Sequence, residues 1–173
     1  MLMTRRTATA GLTAGLLALM AGPVWSTATQ PAFRRLVGGS FAELVAARRG
    51  QPFLLVLWSI TCPPCRDEFT LLTEVLKSHP DLPLVLVCTD DVSEQALATT
   101  MLKDAGINVE ESWIFADDAQ KLRFEIDPDW YGELPRAYFY DSTTERKGIS
   151  GRLTRQQVDD WLVATGQLKQ AGR

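Results

Sequence analysis

Trp58-Ser59-Ile60-Thr61-Cys62-Pro63-Pro64-Cys65-Arg66-Asp67-Glu68 places a C-x-x-C pair between a continuously apolar run and a segment of helical periodicity. Upstream, Phe53-Leu54-Leu55-Val56-Leu57-Trp58 follows Gly50 and Pro52 and has the length and composition of a strand buried on both faces. Downstream, Phe69, Leu72, Val75 and Leu76 recur at three- and four-residue spacing, which predicts an amphipathic helix. Cys62 therefore falls at a strand-to-helix junction, where unpaired backbone N–H groups and the positive end of the helix dipole favour a thiolate. Pro63 and Pro64 suit the first helical turn, because their φ is already helical and their missing N–H groups would have had no partner inside the helix. A thiol so placed has its pKa lowered into a range of about 3.5 to 7.5. Cys62 is the expected nucleophile and Cys65, one turn further in, the expected resolving thiol.

Other chemistries of two cysteines compete with this redox reading. A structural zinc site takes four ligands, and the chain offers Cys62, Cys65, Cys88 and the single His79. Copper is harder to set aside, because two thiolates suffice for a soft monovalent ion, and a copper-binding or copper-delivering module stays open as an alternative. A peroxiredoxin-type peroxidase pattern would need proline at Leu55.

The stretch Cys62-Pro63-Pro64-Cys65-Arg66-Asp67-Glu68 resembles the C-x-x-C-[K/R]-x-E motif of exported TlpA-like and ResA-like thiol-disulfide reductases of the thioredoxin superfamily. Gly132-Glu133-Leu134-Pro135, followed by Arg136-Ala137-Tyr138-Phe139-Tyr140-Asp141, resembles the same superfamily's cis-proline segment. The resemblance spans roughly Ser40 to Leu162, although only the two motifs are specific. It implies an α/β, thioredoxin-like fold with a mixed central sheet and helices on both faces. It also implies that Cys62 attacks a substrate disulfide, that Cys65 resolves the mixed disulfide, and that the Leu134–Pro135 bond is cis and faces the cysteines. Leu134 and Pro135, with Trp58 and Trp130, form the expected substrate-binding surface. Glu68 matches the motif's glutamate, to which an acid-base role is attributed, and its place three residues beyond Cys65 puts both on one helix face. The implied partners are a disulfide-containing protein substrate, with apocytochrome c and a metallochaperone thiol among the classes, and a membrane thiol-transferring electron donor. The redox-active disulfide needs no cofactor. Two departures stand out: Thr61 occupies the place of a second Trp, and Val56 that of thioredoxin's buried Asp. An oxidase of the DsbA kind is the alternative direction.

The remaining chain fits around this centre. Arg5 and Arg6, the uncharged Ala- and Leu-rich run from Gly11 to Ala21, and Val24-Trp25-Ser26 read as a signal peptide over 1–26, with retention as an anchor the alternative. Export to the periplasm or beyond means an oxidising compartment, where a C-x-x-C more often exchanges disulfides than holds zinc. Removal of Arg5 and Arg6 changes the net charge from −3 to −5, which argues against nucleic acid and acidic membranes as partners. Residues 27–173 are expected to form one domain.

Ser40-Phe41-Ala42-Glu43 reads as a capping box opening a helix that stops at Gly50. Leu84 to Cys88 and Ser112 to Phe115 read as strands, separated by a helix from about Ser93 to Lys103 that Gly106 ends. A short helix from Ala119 to Phe124, closing strands at Arg136 to Asp141 and Gly148 to Gly151, and a final helix capped by Thr154 and Gln157 complete the pattern. Trp113 and Trp161 fit core periodicity. Cys88, inside an apolar strand, reads as an inert thiol, and His79 as a helix-end residue without a catalytic role. Arg66 either supports the Cys62 thiolate or faces water.

Overall fold

The structure is a computed structural model that describes residues 33–108 and 111–168. The expected leader, 1–26, lies outside them. In chain order the elements are β1 (Arg34–Leu36), α1 (Ser40–Ala46), β2 (Phe53–Trp58), α2 (Pro63–Ser78), β3 (Leu84–Asp91), α3 (Gln95–Asp104), β4 (Glu111–Phe115), α4 (Ala119–Ile126), β5 (Arg136–Tyr140), β6 (Arg146–Ser150) and α5 (Arg155–Ala164). The strands form one sheet in the order β1-β4-β3-β2-β5-β6. The first four of these run parallel, whereas β5 is antiparallel to β2 and β6 to β5.

β2 lies in the middle because every one of its side chains is apolar and fully buried, and only a strand covered on both faces can bury all of them. Leu54, Val56 and Trp58 point to one face and join Cys65, Phe69, Leu72 and Val75 of α2, Ala98 and Leu102 of α3, and Val158, Trp161 and Leu162 of α5. Phe53, Leu55 and Leu57 point to the other, with Phe41 and Leu44 of α1 and Leu122 and Ile126 of α4. The mixed sheet with helices on both faces is thus as expected, and period-two alternation along β2 divides the two cores.

Several local expectations are corrected. The capping box at Ser40 is absent: Gly39, at φ 85°, is the N-cap, and Ser40 Oγ instead accepts the Val37 N–H at 3.2 Å. The helix ends at Ala46, and turns carry the chain on to Gly50. β1 gave no sequence signal, since three residues with exposed Arg34 and Arg35 carry neither periodicity nor an apolar run. β3 continues past Cys88 to Asp91 through an irregularity in its pairing with β4, although Thr89-Asp90-Asp91 reads as a strand stop. Trp161 is buried and donates its indole N–H to the Tyr140 carbonyl at 3.1 Å. Trp113 is only partly buried, on a strand whose outer neighbour is the short β1.

Candidate active site

Cys62 is the N-cap of α2, with Pro63 and Pro64 in the first two helical positions. It is bonded to Cys65, with Sγ atoms 2.04 Å and Cα atoms 5.3 Å apart. The two cysteines are unequal in exposure. Cys62 is partly exposed, while Cys65 is fully buried against the α2 face of the sheet. Because the prolines carry no N–H, the donor of this turn that reaches Cys62 Sγ is the Cys65 N–H, at 3.2 Å.

β5 pairs with β2 so that Leu57 faces Arg136, which puts Pro135 level with Trp58 at the end of β2 that leads to Cys62. The Leu134–Pro135 peptide bond is cis. Pro135 is buried and Leu134 half-buried. The segment is braced from behind: Trp130 donates its indole N–H to the Glu133 carbonyl at 2.9 Å, and the Pro135 carbonyl accepts the Gly151 N–H at 2.9 Å. Arg136 reaches Ser150 Oγ at 2.6 Å and Asp127 at 3.2 Å, crossing β6 where Gly148 has no side chain to block it. Asp127 also accepts the Tyr138 hydroxyl at 2.7 Å. These hydrogen bonds, with Arg146 nearby, hold its carboxyl below the usual carboxylate range despite its burial.

Trp58 and Trp130, expected in the substrate surface, are both buried, so neither side chain is available to a docked chain. Trp58 packs edge-on against Phe69 at 5.0 Å between ring centroids and belongs to the core. Trp130 acts on the loop from inside. Its neighbour Tyr131 is the exposed one.

Glu68 is on α2 one turn beyond Cys65 and is 1% exposed. Its carboxylate accepts the Leu153 N–H, at 2.9 Å through Oε2 and 3.2 Å through Oε1. Burial pushes its pKa up to about 7, opposed by that N–H and by Arg152. Arg152 itself pairs with exposed Asp67 at 3.0 Å. Arg66 is exposed, and His79 is the C-cap of α2.

Asp90 was not anticipated. Its carboxylate accepts the Ser59 hydroxyl at 3.0 Å, the Ile60 N–H at 2.8 Å and the Cys88 thiol at 3.2 Å. Cys88 is buried, which pushes its thiol pKa up and keeps it protonated. The parallel register that sets Cys88 opposite Trp58 carries Asp90 to the level of Ile60. Side chains at the carboxyl ends of neighbouring parallel strands converge in this way, and that was the available signal.

No protein-family model matches the chain. Among characterised proteins, Sporulation thiol-disulfide oxidoreductase A of Bacillus subtilis (strain 168) is similar to it, 25% identical over 162 residues that cover 85% of this chain and 90% of that protein. A thioredoxin family thiol:disulfide interchange protein from Chlorobium tepidum TLS aligns with a TM-score of 0.53 at 18% identity, over 69% of this chain and 83% of the other. The fold is thioredoxin-like, and the chain is similar to thiol-disulfide oxidoreductases over most of its length. A DsbF homologue from Corynebacterium diphtheriae shares the fold, with a TM-score of 0.58 and 20% identity over 69% of this chain and 75% of the other. In this chain the partly exposed sulfur, the buried sulfur and the proline segment are assembled by three neighbouring pieces of backbone: the end of β2, the start of α2 and the start of β5.

Proposed function

We propose that the protein is an exported reductase of protein disulfides. The observation that carries the direction is that a single backbone donor, the Cys65 N–H, reaches Cys62 Sγ in a turn whose other two positions are prolines. Hydrogen bonds to a thiolate stabilise the reduced form, so a turn with two donors deleted stabilises it less and gives a more reducing pair. Export rests on the leader-like sequence over 1–26.

In the reaction, the Cys62 thiolate attacks one sulfur of a substrate disulfide. A Cys62–substrate bond forms as the substrate bond breaks, and the departing substrate thiolate takes up a proton. Cys65 then gives up its proton and attacks Cys62 Sγ, which releases the second substrate thiol and leaves the Cys62–Cys65 disulfide. Two electrons pass from the dithiol to the substrate. Glu68 is the proposed acceptor of the Cys65 proton, being buried one turn away with a pKa close to neutrality. Substrate backbone is proposed to dock as an added strand along Leu134 and Pro135, since a proline presents no N–H to obstruct approach. A thiol-transferring membrane protein is the proposed electron donor, and no cofactor takes part.

Equilibration with a glutathione series tests the direction. The expected potential is nearer about −270 mV, as in thioredoxin, than about −120 mV, as in DsbA; both values are general reference points for the fold. A potential above about −150 mV would overturn the reductase reading in favour of an oxidase. Tight Cu(I) binding lost in either single cysteine variant, without turnover of a disulfide substrate, would overturn it in favour of a copper module.

A further inference from the structure

We propose that Asp90 is a positioning residue for thiol-disulfide exchange, holding the turn that carries Cys62 so that its sulfur stays aligned with the Cys65 N–H. The turn has three residues, Ser59 to Thr61, and joins the rigid end of β2 to the N-cap of α2. Asp90 grips its first two members directly, through the Ser59 hydroxyl and the Ile60 N–H. The grip passes to the third through Ser59 Oγ, which lies 3.2 Å from the Thr61 N–H and 3.1 Å from the Thr61 hydroxyl. The Cys62 N–H then closes back on the Ser59 carbonyl at 3.2 Å. Each residue from Ser59 to Cys62 is thus tied into one network centred on a carboxylate of the adjacent strand.

Asp90 is itself fixed from below. The Cys88 thiol donates to Oδ2, and Thr89 donates its hydroxyl to the Trp58 carbonyl at 3.3 Å, fastening the ends of β3 and β2 together. The irregular pairing of β3 with β4 between Cys88 and Asp91 falls at this point. Bulges commonly re-aim a side chain beside a functional site.

Positioning matters more here than at an ordinary helix N-terminus. Pro63 and Pro64 leave Cys65 as the backbone donor to the sulfur, so an angular error at Cys62 has no second N–H to compensate for it. A charged acceptor gripping the turn could also act by its field, and the two modes predict opposite signs. Loss of alignment destabilises the Cys62 thiolate, whereas loss of a nearby negative charge stabilises it.

The inference rests on exchange at Cys62 and Cys65; a wild-type protein that does not exchange disulfides would fail that reading rather than this one. The test compares Asp90→Asn, which removes the charge and replaces one of the two oxygens that grip Ser59 and Ile60 by an N–H donor, with Ser59→Ala, which leaves the charge and cuts the arm to Thr61. Both are expected to slow the first attack on a model aromatic disulfide at pH 7 by about fivefold, the loss of about one hydrogen bond. Both should also shift the glutathione equilibrium about fivefold toward the disulfide, or about 20 mV more reducing, since tenfold is 29.6 mV for two electrons. Thr73→Val controls for stability alone: its hydroxyl donates to Phe69 and Ala105 carbonyls within and behind α2, so its loss should lower Tm without moving the potential.

An unchanged Ser59→Ala with a less reducing Asp90→Asn would overturn the inference, because Asp90 would then act by charge. Lowered Tm with unchanged rate and potential in both variants would overturn it as well. Ser59→Ala decides alone if Asp90→Asn does not fold.

Discussion

Replacing Glu68 with glutamine should change how stability depends on pH and how fast the mixed disulfide is resolved. The carboxyl is 1% exposed, and burial pushes its folded pKa up to about 7 from an ordinary value of 4.5. Below pH 4.5 it is protonated in both the folded and the unfolded chain. Between 4.5 and 7 the unfolded chain releases a proton that the folded protein retains, so the unfolded state gains and stability falls as pH rises. Above 7 both states are ionised and the loss levels off. At 1.36 kcal/mol per pH unit, a window of about 2.5 pH units corresponds to roughly 3 kcal/mol lost. Glutamine keeps an oxygen for the Leu153 N–H and has no charge to bury, so Glu68→Gln should lack this loss. It should match the wild type near pH 4.5 and exceed it at pH 8.

Urea unfolding of the oxidised protein at half-unit steps from pH 4.5 to 8 measures the difference between the two curves, in which every titrating group they share cancels. Curves parallel within about 0.5 kcal/mol, the size of an ordinary surface effect, would refute the buried ionisation. The kinetic arm is separate. With Glu68 accepting the Cys65 proton, resolution of a preformed mixed disulfide should slow by about 10²-fold or more in the variant, while the first attack by Cys62 barely changes. A resolution rate in Glu68→Gln equal to the wild type's between pH 6 and 8 would remove Glu68 from the mechanism and leave only its stability role.

Two further outcomes follow from the same geometry. Cys65→Ser should accumulate mixed disulfides with substrate, and Cys62→Ser should abolish exchange, because Cys62 is the partly exposed sulfur and Cys65 is fully buried; alkylation at neutral pH that labels Cys65 first in the reduced protein would reverse the roles. Asp127→Ala should destabilise the protein by about 3 kcal/mol, since it strands the Tyr138 hydroxyl and a half-buried Arg136 that share its carboxylate; a loss below about 1 kcal/mol in urea unfolding would show that water replaces it.

The parts of this protein legible in sequence are those where one local pattern dictates one structure. Six consecutive apolar residues behind Gly50 and Pro52 have the length of a strand rather than a helix, and a strand buries all six only when covered on both faces, so β2 and the two-sided architecture follow from this stretch. Two prolines behind a cysteine fix where α2 begins, and Thr154 with Gln157 forms the reciprocal cap expected for α5. The same kind of reading failed at Ser40, where the spacing of a capping box is present but Gly39 supplies the left-handed turn and the serine serves Val37 instead. It failed again at Trp58 and Trp130: an aromatic beside a motif suits either a groove or a core, and only the packing of Phe69 and the Glu133 carbonyl decides between them.

What local pattern cannot express is register between distant strands. Thr89-Asp90-Asp91 looks like the polar end of a strand, and by composition it is one. Its meaning comes from the pairing of Trp58 with Cys88, which brings a carboxylate thirty residues downstream against the N–H of Ile60. Glu68 gives the complementary case. Its position relative to Cys65 is a property of the helix and could be read from spacing, whereas its raised pKa comes from tertiary burial, opposed by the Leu153 N–H, eighty-five residues later in the chain, and by Arg152. The candidate active site is therefore divided along a physical line: the sulfurs and their helix are encoded locally, whereas Asp90, the proposed brace of the Cys62 turn, and the groups around Glu68, the proposed acceptor of the Cys65 proton, are delivered by the sheet and by the loop after β6.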